Sequence, residues 1–143
     1  MPDILQDFPI KADAARVFAA VSAPEGLNQW WTESCTGRTE LGERFELGFG
    51  PAYQWSAVVS QCRPGTLFEL TLTRADADWD GSRVGFALSP TGASTQVRFS
   101  HEGWPMANEH YRVSAHCWAL YLRLLRRYVE CGETVAYADR LDA

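Results

Sequence analysis

What the sequence has little of narrows its class first. Basic residues are the minority, 13 Lys and Arg against 18 Asp and Glu, for a formal charge of −5. A nucleic-acid binder needs a basic stripe to meet phosphates, so no nucleic-acid partner is expected. No apolar run approaches the roughly 20 residues of a membrane span, so none is expected. The four cysteines, Cys35, Cys62, Cys117 and Cys131, form no C-x-x-C pair and no zinc-finger spacing. The opening Met1-Pro2-Asp3 leads straight into a strand-like run, without the basic and apolar segments of a secretory leader. Reduced thiols and a cytoplasmic location are the simplest expectation.

Catalytic signatures are equally scarce. There is no G-x-S-x-G and no Cys-His-Asn pattern. His110 and His116 fall on different faces of a helix and miss the spacing of paired metal ligands. Cys117 lies about 10.5 Å along a helix axis from His110, too far for a thiol–imidazole pair. No catalytic residue, metal ligand or cofactor is therefore read from the sequence.

What is present is a chain of 143 residues carrying six Trp, seven Phe and five Tyr. That length suits one domain able to bury roughly 68–70% of its unfolded surface without staples. So many large rings imply an aromatic core or a ring-lined cavity. A first strand is read where Ile4, Gln6, Phe8 and Ile10 alternate with Leu5, Asp7 and Pro9. Asp13 offers a cap for a helix over Ala14 to Val21, and Ser22-Ala23-Pro24 ends it. A second helical turn starts at Pro24. From Thr32 to about Glu102 the period is two, broken by Gly50-Pro51, Pro64-Gly65, Asp80-Gly81 and Pro90-Thr91-Gly92, which reads as an antiparallel meander. From about Met106 to Cys131 the period is helical. His110, Ser114, Cys117, Tyr121, Leu124, Leu125 and Tyr128 share one face, flanked by Trp118 and Val129, and Gly132 stops the helix. Arg123, Arg126 and Arg127 fall on the wet side. The economical packing lays this helix across the apolar face of the sheet, giving an α+β domain over 1–132 and a loosely held polar tail over 133–143.

Several segments sharpen the match. Ile10-Lys11-Ala12-Asp13, Val17-Phe18, Pro24-Glu25-Gly26-Leu27 and Trp30-Trp31 are followed by Gly42-Glu43-Arg44-Phe45, His101-Glu102-Gly103-Trp104 and Cys117-Trp118. Leu122, Leu125, Tyr128-Val129-Glu130 and Gly132 complete the set. Over residues 4–132 this order resembles the START-like (SRPBCC, helix-grip) superfamily, in the branch related to the activator of the heat-shock-protein-90 ATPase. The resemblance implies a curved antiparallel sheet of about seven strands around a long C-terminal helix, with two short helices after the first strand. It specifies fold rather than function, because the superfamily holds lipid binders, cyclases and oxygenase subunits alike. Two departures, Cys117 before Trp118 where many relatives carry glycine, and Glu69-Leu70-Thr71-Leu72 where an aromatic is frequent, bear on pocket shape.

The leading expectation is an internal cavity between sheet and helix that binds a small apolar or amphipathic molecule. Phe45, Phe49, Tyr53, Trp55, Phe68, Phe86 and Phe99 share the inward parity, and Trp118 joins them from the helix. His101, His110, Ser114 and Tyr121 would orient the polar end of the guest. Trp30-Trp31 is expected to plug one end of the sheet, and Trp79 to stand exposed in its acidic hairpin. A cyclase- or hydratase-type enzyme using the same pocket, and a chaperone-interaction module acting through its surface, stay open as alternatives. So does a homodimer.

Overall fold

The computed structural model describes residues 2–143. Strand β1 (Ile4–Ile10) buries Ile4 and Ile10 and turns Leu5, Asp7 and Pro9 outward. It is an edge strand, the place where a proline's missing N–H is harmless. Asp13 caps α1 (Ala14–Ser22), its carboxylate accepting from Arg16 N at 2.8 Å. Ala23 ends α1, and Pro24 opens the single turn α2 (Pro24–Leu27). Gly26 lets the two helices touch: a Cβ there would stand 2.5 Å from the Ala19 carbonyl oxygen.

The short β2 (Ser34–Thr36) escapes the periodicity, since three residues carry no readable alternation. After it come β3 (Arg44–Gly48), β4 (Gln54–Arg63), β5 (Leu67–Arg74), β6 (Arg83–Thr91) and β7 (Ser94–Glu102). They form one antiparallel seven-stranded sheet in the order β1-β7-β6-β5-β4-β3-β2. Register shifts between β4 and β5, at Ser56/Ala57 and Val59/Gln61, add local twist and bend the sheet.

Helix α3 (Glu109–Cys131) crosses the hollow side. The Asn108 side chain caps it by accepting from Tyr111 N, and Gly132 ends it in the left-handed region at φ +69°. Its buried stripe is Ser114, Trp118, Leu122, Leu125 and Val129, joined by Leu124. The face expected to centre on Cys117 and Tyr121 is thus rotated. Trp118, the largest side chain, takes the middle of the contact, Leu122 is buried behind it, and Cys117, Tyr121 and Tyr128 become half-buried flanks. On the outer side Arg126 pairs with Glu130 at 3.3 Å, an i, i+4 contact. Among the described residues no helix is long and apolar enough to cross a membrane.

The tail is held more firmly than its polarity suggests. A 3₁₀ segment, Tyr137–Asp142, follows α3, and within it Arg140 is buried. Its guanidinium donates to the carbonyls of Asn28 at 2.6 Å, Thr32 at 3.0 Å and Val135 at 3.0 Å, and lies over the Tyr137 ring. A planar fork of donors suits such a cluster of carbonyls in a way composition alone does not reveal. Arg140→Ala should lower unfolding free energy by about 2 kcal/mol, since it strands buried acceptors. Urea denaturation checks this, and limited proteolysis should find residues 133–143 newly cleavable. An unchanged midpoint would mean the tail is only laid on the surface.

Candidate ligand-binding site

The inner surface of the sheet divides into a filled half and a hollow half. In the filled half, Phe45 meets Phe68 at 5.8 Å, Phe18 from α1 meets Phe68 at 6.3 Å, and Phe86 lies against Trp30 at 6.0 Å. Phe86 also meets Phe99 at 5.3 Å, and Phe99 meets Trp118 at 4.5 Å. Phe45, Phe68, Phe86 and Phe99 are all essentially inaccessible. These positions, expected to line a cavity, are core instead. Parity names the inward face correctly but does not see that α1 and α2 descend onto that part of it.

His101 is also drawn inward, out of reach of any guest. On β7 it is completely buried, and both ring nitrogens are engaged. Trp118 Nε1 lies 3.1 Å from Nδ1, and Ser82 Oγ lies 2.8 Å from Nε2. An indole N–H can only donate, so Nδ1 must carry a lone pair and Nε2 the proton. The Ser82 hydroxyl accepts from Nε2 and passes its own proton to the Trp79 carbonyl at 2.6 Å. The histidine is therefore fixed as one neutral tautomer. Burial, with a smaller contribution from His110, pushes its pKa down to about 3.

The hollow half lies between α3 and the ends of the sheet where β3 meets β4 and β5 meets β6. A cleft of about 250 Å³ opens there. Its sheet wall is Phe49, Tyr53 and Trp55, with Trp31 beside them. Its helix wall is His110, Val113, Ser114, Cys117, Trp118 and Tyr121. Asp76 and Trp79 of the β5–β6 loop and Tyr137 of the tail complete the lining. So Phe49, Tyr53, Trp55, His110, Ser114, Trp118 and Tyr121 are brought together, and the space, edged by the half-exposed Tyr53, is an open cleft rather than a sealed chamber. Two larger depressions exist, of about 640 and 520 Å³. The first is lined by Ala107 to His116 alone, the outer face of one helix start, and cannot surround a guest. The second, between α1, α2 and the end of α3, is lined mainly by small and polar residues.

Trp79 is the cleft residue the sequence conceals. Its neighbours Asp76, Asp78 and Asp80 suggest an exposed hairpin tip, yet it is only 8% accessible. The loop makes one helical turn, with Asp80 N bonding Asp76 O at 2.9 Å, which sends the carboxylates outward and the indole inward. Trp79 then stacks on Trp118 at 5.9 Å, meets Trp55 at 5.1 Å and donates weakly to Ser114 Oγ at 3.4 Å. The readable signal is the length of the connection, since a tight two-residue hairpin would need no tryptophan. Trp31 is a second omission from the expected site. It stacks on Trp30 at 6.2 Å and tilts against Trp118 at 5.2 Å, forming wall rather than plug.

The cleft walls are electrically quiet. Burial, then the neighbouring Tyr137 and Cys117, push the Tyr121 phenol up to about 12, while Arg140 opposes them. Burial likewise raises the Tyr137 phenol and the Cys117 thiol. Charge enters from the β5–β6 loop, where Asp76 lines the cleft and Asp78 Oδ2 lies 3.0 Å from His110 Nδ1, and this edge is the mouth of the cleft.

The architecture has well-defined relatives. The family described as Activator of Hsp90 ATPase homolog 1-like protein matches residues 11–130 of the chain. The chain belongs to this family. With it comes membership of the START-like superfamily, and the seven-stranded sheet around α3 is the helix-grip fold of this Hsp90-activator-like group. The solution structure of the Aha1 dimer from Colwellia psychrerythraea superposes with a TM-score of 0.83 at 23% identity, covering 93% of this chain and 99% of that one. Protein BH1534 of Bacillus halodurans gives 0.76 at 25% identity, with 91% and 98% covered. CalU16 of Micromonospora echinospora gives 0.75 at 18% identity, with 98% and 81% covered. No curated protein matches the sequence. The Hsp90-activator-like fold thus supplies the grip, and the tryptophans supply the local character of this member's cleft.

The His101 assignment has a measurable consequence. In the unfolded chain the imidazole takes up a proton near its ordinary value of 6.5, and in the folded protein only near 3. Between those values the unfolded state binds more protons. Stability from His101 is therefore whole above about 6.5 and declines as pH falls through the window, by about 2 kcal/mol at pH 5. His101→Gln should remove this component, so that the difference between variant and wild type shrinks on acidification. Urea unfolding across that range reads it, and parallel slopes for the two proteins would contradict the assignment.

Proposed function

We propose that the protein binds a small apolar or amphipathic ring compound in the cleft between α3 and the β3–β4 and β5–β6 ends of the sheet. The observation that carries this reading is the enclosure of the cleft by Trp31, Phe49, Trp55, Trp79, Trp118 and Tyr121. At about 250 Å³ it is below the usual range of roughly 300–1,000 Å³ for ligand pockets, which suits one or two fused rings. Walls held neutral by burial favour an uncharged body, and the polar groups at the mouth suit a single polar end.

The family's description points to a second reading, a chaperone-related domain acting through its outer surface. A homodimer is part of either reading, since the Colwellia relative is a dimer. A cyclase- or hydratase-type activity would use the same cleft. Titrating the protein with mono- and bicyclic aromatic compounds, and following tryptophan emission, separates these possibilities. Saturable quenching is expected, and Cys117→Phe, which places a ring in the cleft, should weaken it about tenfold or more, a loss of about 1.4 kcal/mol. No saturable binding, or binding indifferent to Cys117→Phe, would sink the cleft reading. Stimulation of a purified Hsp90 ATPase that survives Cys117→Phe would move the function to the surface. Native mass spectrometry of the same preparations gives the subunit number.

A further inference from the structure

We propose that His110 and Asp78 form a hydrogen-bond-accepting head at the mouth of the cleft, selecting neutral aromatic ligands that carry a hydroxyl. This rests on the cleft being a ligand site and narrows the class of ligand it takes.

Two segments build the head. Asp78 comes from the β5–β6 loop, Asn108 is the cap of α3, and His110 lies in its first turn. Asp78 Oδ2 receives His110 Nδ1 at 3.0 Å and Asn108 Nδ2 at 3.2 Å. The orientation of the Asn108 amide is settled independently, because its Oδ1 accepts from Tyr111 N at 2.9 Å and leaves Nδ2 as the donor. These two donors, His110 first, hold the Asp78 carboxyl below the usual range and so ionised. An ionised carboxylate only accepts, so Nδ1 carries a proton, and in the uncharged form of the ring Nε2 is the lone pair. The edge-on contact with Trp104 at 5.4 Å fixes the plane of the ring. The His110 side chain is 39% accessible and lines the cleft, and with Nδ1 held by Asp78 the nitrogen left for a guest is Nε2.

Asp76, again a carboxylate, lines the cleft nearby, and the Ser114 hydroxyl beside it already accepts from Trp79 Nε1 at 3.4 Å. The mouth therefore presents acceptors and negative charge. A ligand carboxylate meets repulsion from Asp76 and Asp78. An ether or ketone oxygen brings no proton to share. A hydroxyl on a flat ring answers both the mouth and the indole walls behind it. Asp78 acts here as a positioning residue, setting which nitrogen of His110 carries the proton.

The test compares 2-naphthol, naphthalene and 2-methoxynaphthalene by quenching of tryptophan emission at about pH 7.5. Wild type should prefer 2-naphthol by about tenfold over each of the other two. His110→Phe should bring that ratio to about one. Asp78→Asn, whose amide oxygen can still accept from Nδ1, should keep most of the preference, and Asp78→Ala should lose it. The ratio, rather than the absolute affinity, is the readout, so a general loosening of the site would not imitate the result. Equal binding of all three compounds, or a preference for 2-methoxynaphthalene, or a hydroxyl preference that survives His110→Phe, overturns the head and leaves the cleft reading intact. Failure of all three compounds to bind wild type overturns both.

Discussion

The structure depends on one donated proton, from the Trp118 indole on α3 to Nδ1 of His101 on β7. It ties the helix to the sheet at the centre of the grip. Because an indole nitrogen cannot accept, it also dictates the direction of every hydrogen bond that follows, from His101 to Ser82 and from Ser82 to the Trp79 carbonyl. The chain thus runs from α3 through β7 to the β5–β6 loop, and it fixes the two indoles that stack beside the cleft. A charged histidine at that position would turn a donor toward a donor, so the geometry and the neutral state enforce each other.

Around that link the protein resolves a mismatch between a bent sheet and a straight helix. The bulges of β4 curve the sheet further than α3 alone can cover. At one end, α1 and α2 bring Phe18, Leu27 and Trp30 into the hollow and complete the core. At the other, no helix descends, and the space is edged by rings that pack mostly on one another. Edge-on and tilted aromatic pairs add about 0.5–1.5 kcal/mol each beyond burial. A wall of this kind keeps its shape with one side exposed.

The fold was legible through period, two for the strands and 3.6 for α3, together with the family resemblance, and Asp13, Pro24 and Gly132 mark ends that the backbone confirms. The site was legible only in part, because parity reports which way a side chain points and not what arrives opposite it. Phe45 and Phe49 lie on one face of the same hairpin arm, yet the first is sealed and the second borders the cleft. Trp79 and the tail that carries Arg140 differ from expectation for a common reason. Each residue sits among polar residues in a segment without periodicity, and its burial comes from tertiary contacts: indole neighbours for one, the carbonyls of Asn28 and Thr32 for the other.

The topology also constrains how the molecule comes into being. β1 pairs only with β7, Ile4 facing His101 across the whole length of the meander. During synthesis, which proceeds from the N-terminus at about 5–20 residues per second, this strand emerges long before its partner. For that interval β1 is an unclaimed edge with Ile4 and Ile10 uncovered, able to pair with the wrong strand or with another nascent chain. The last strand to be made is the one that closes the sheet onto the first.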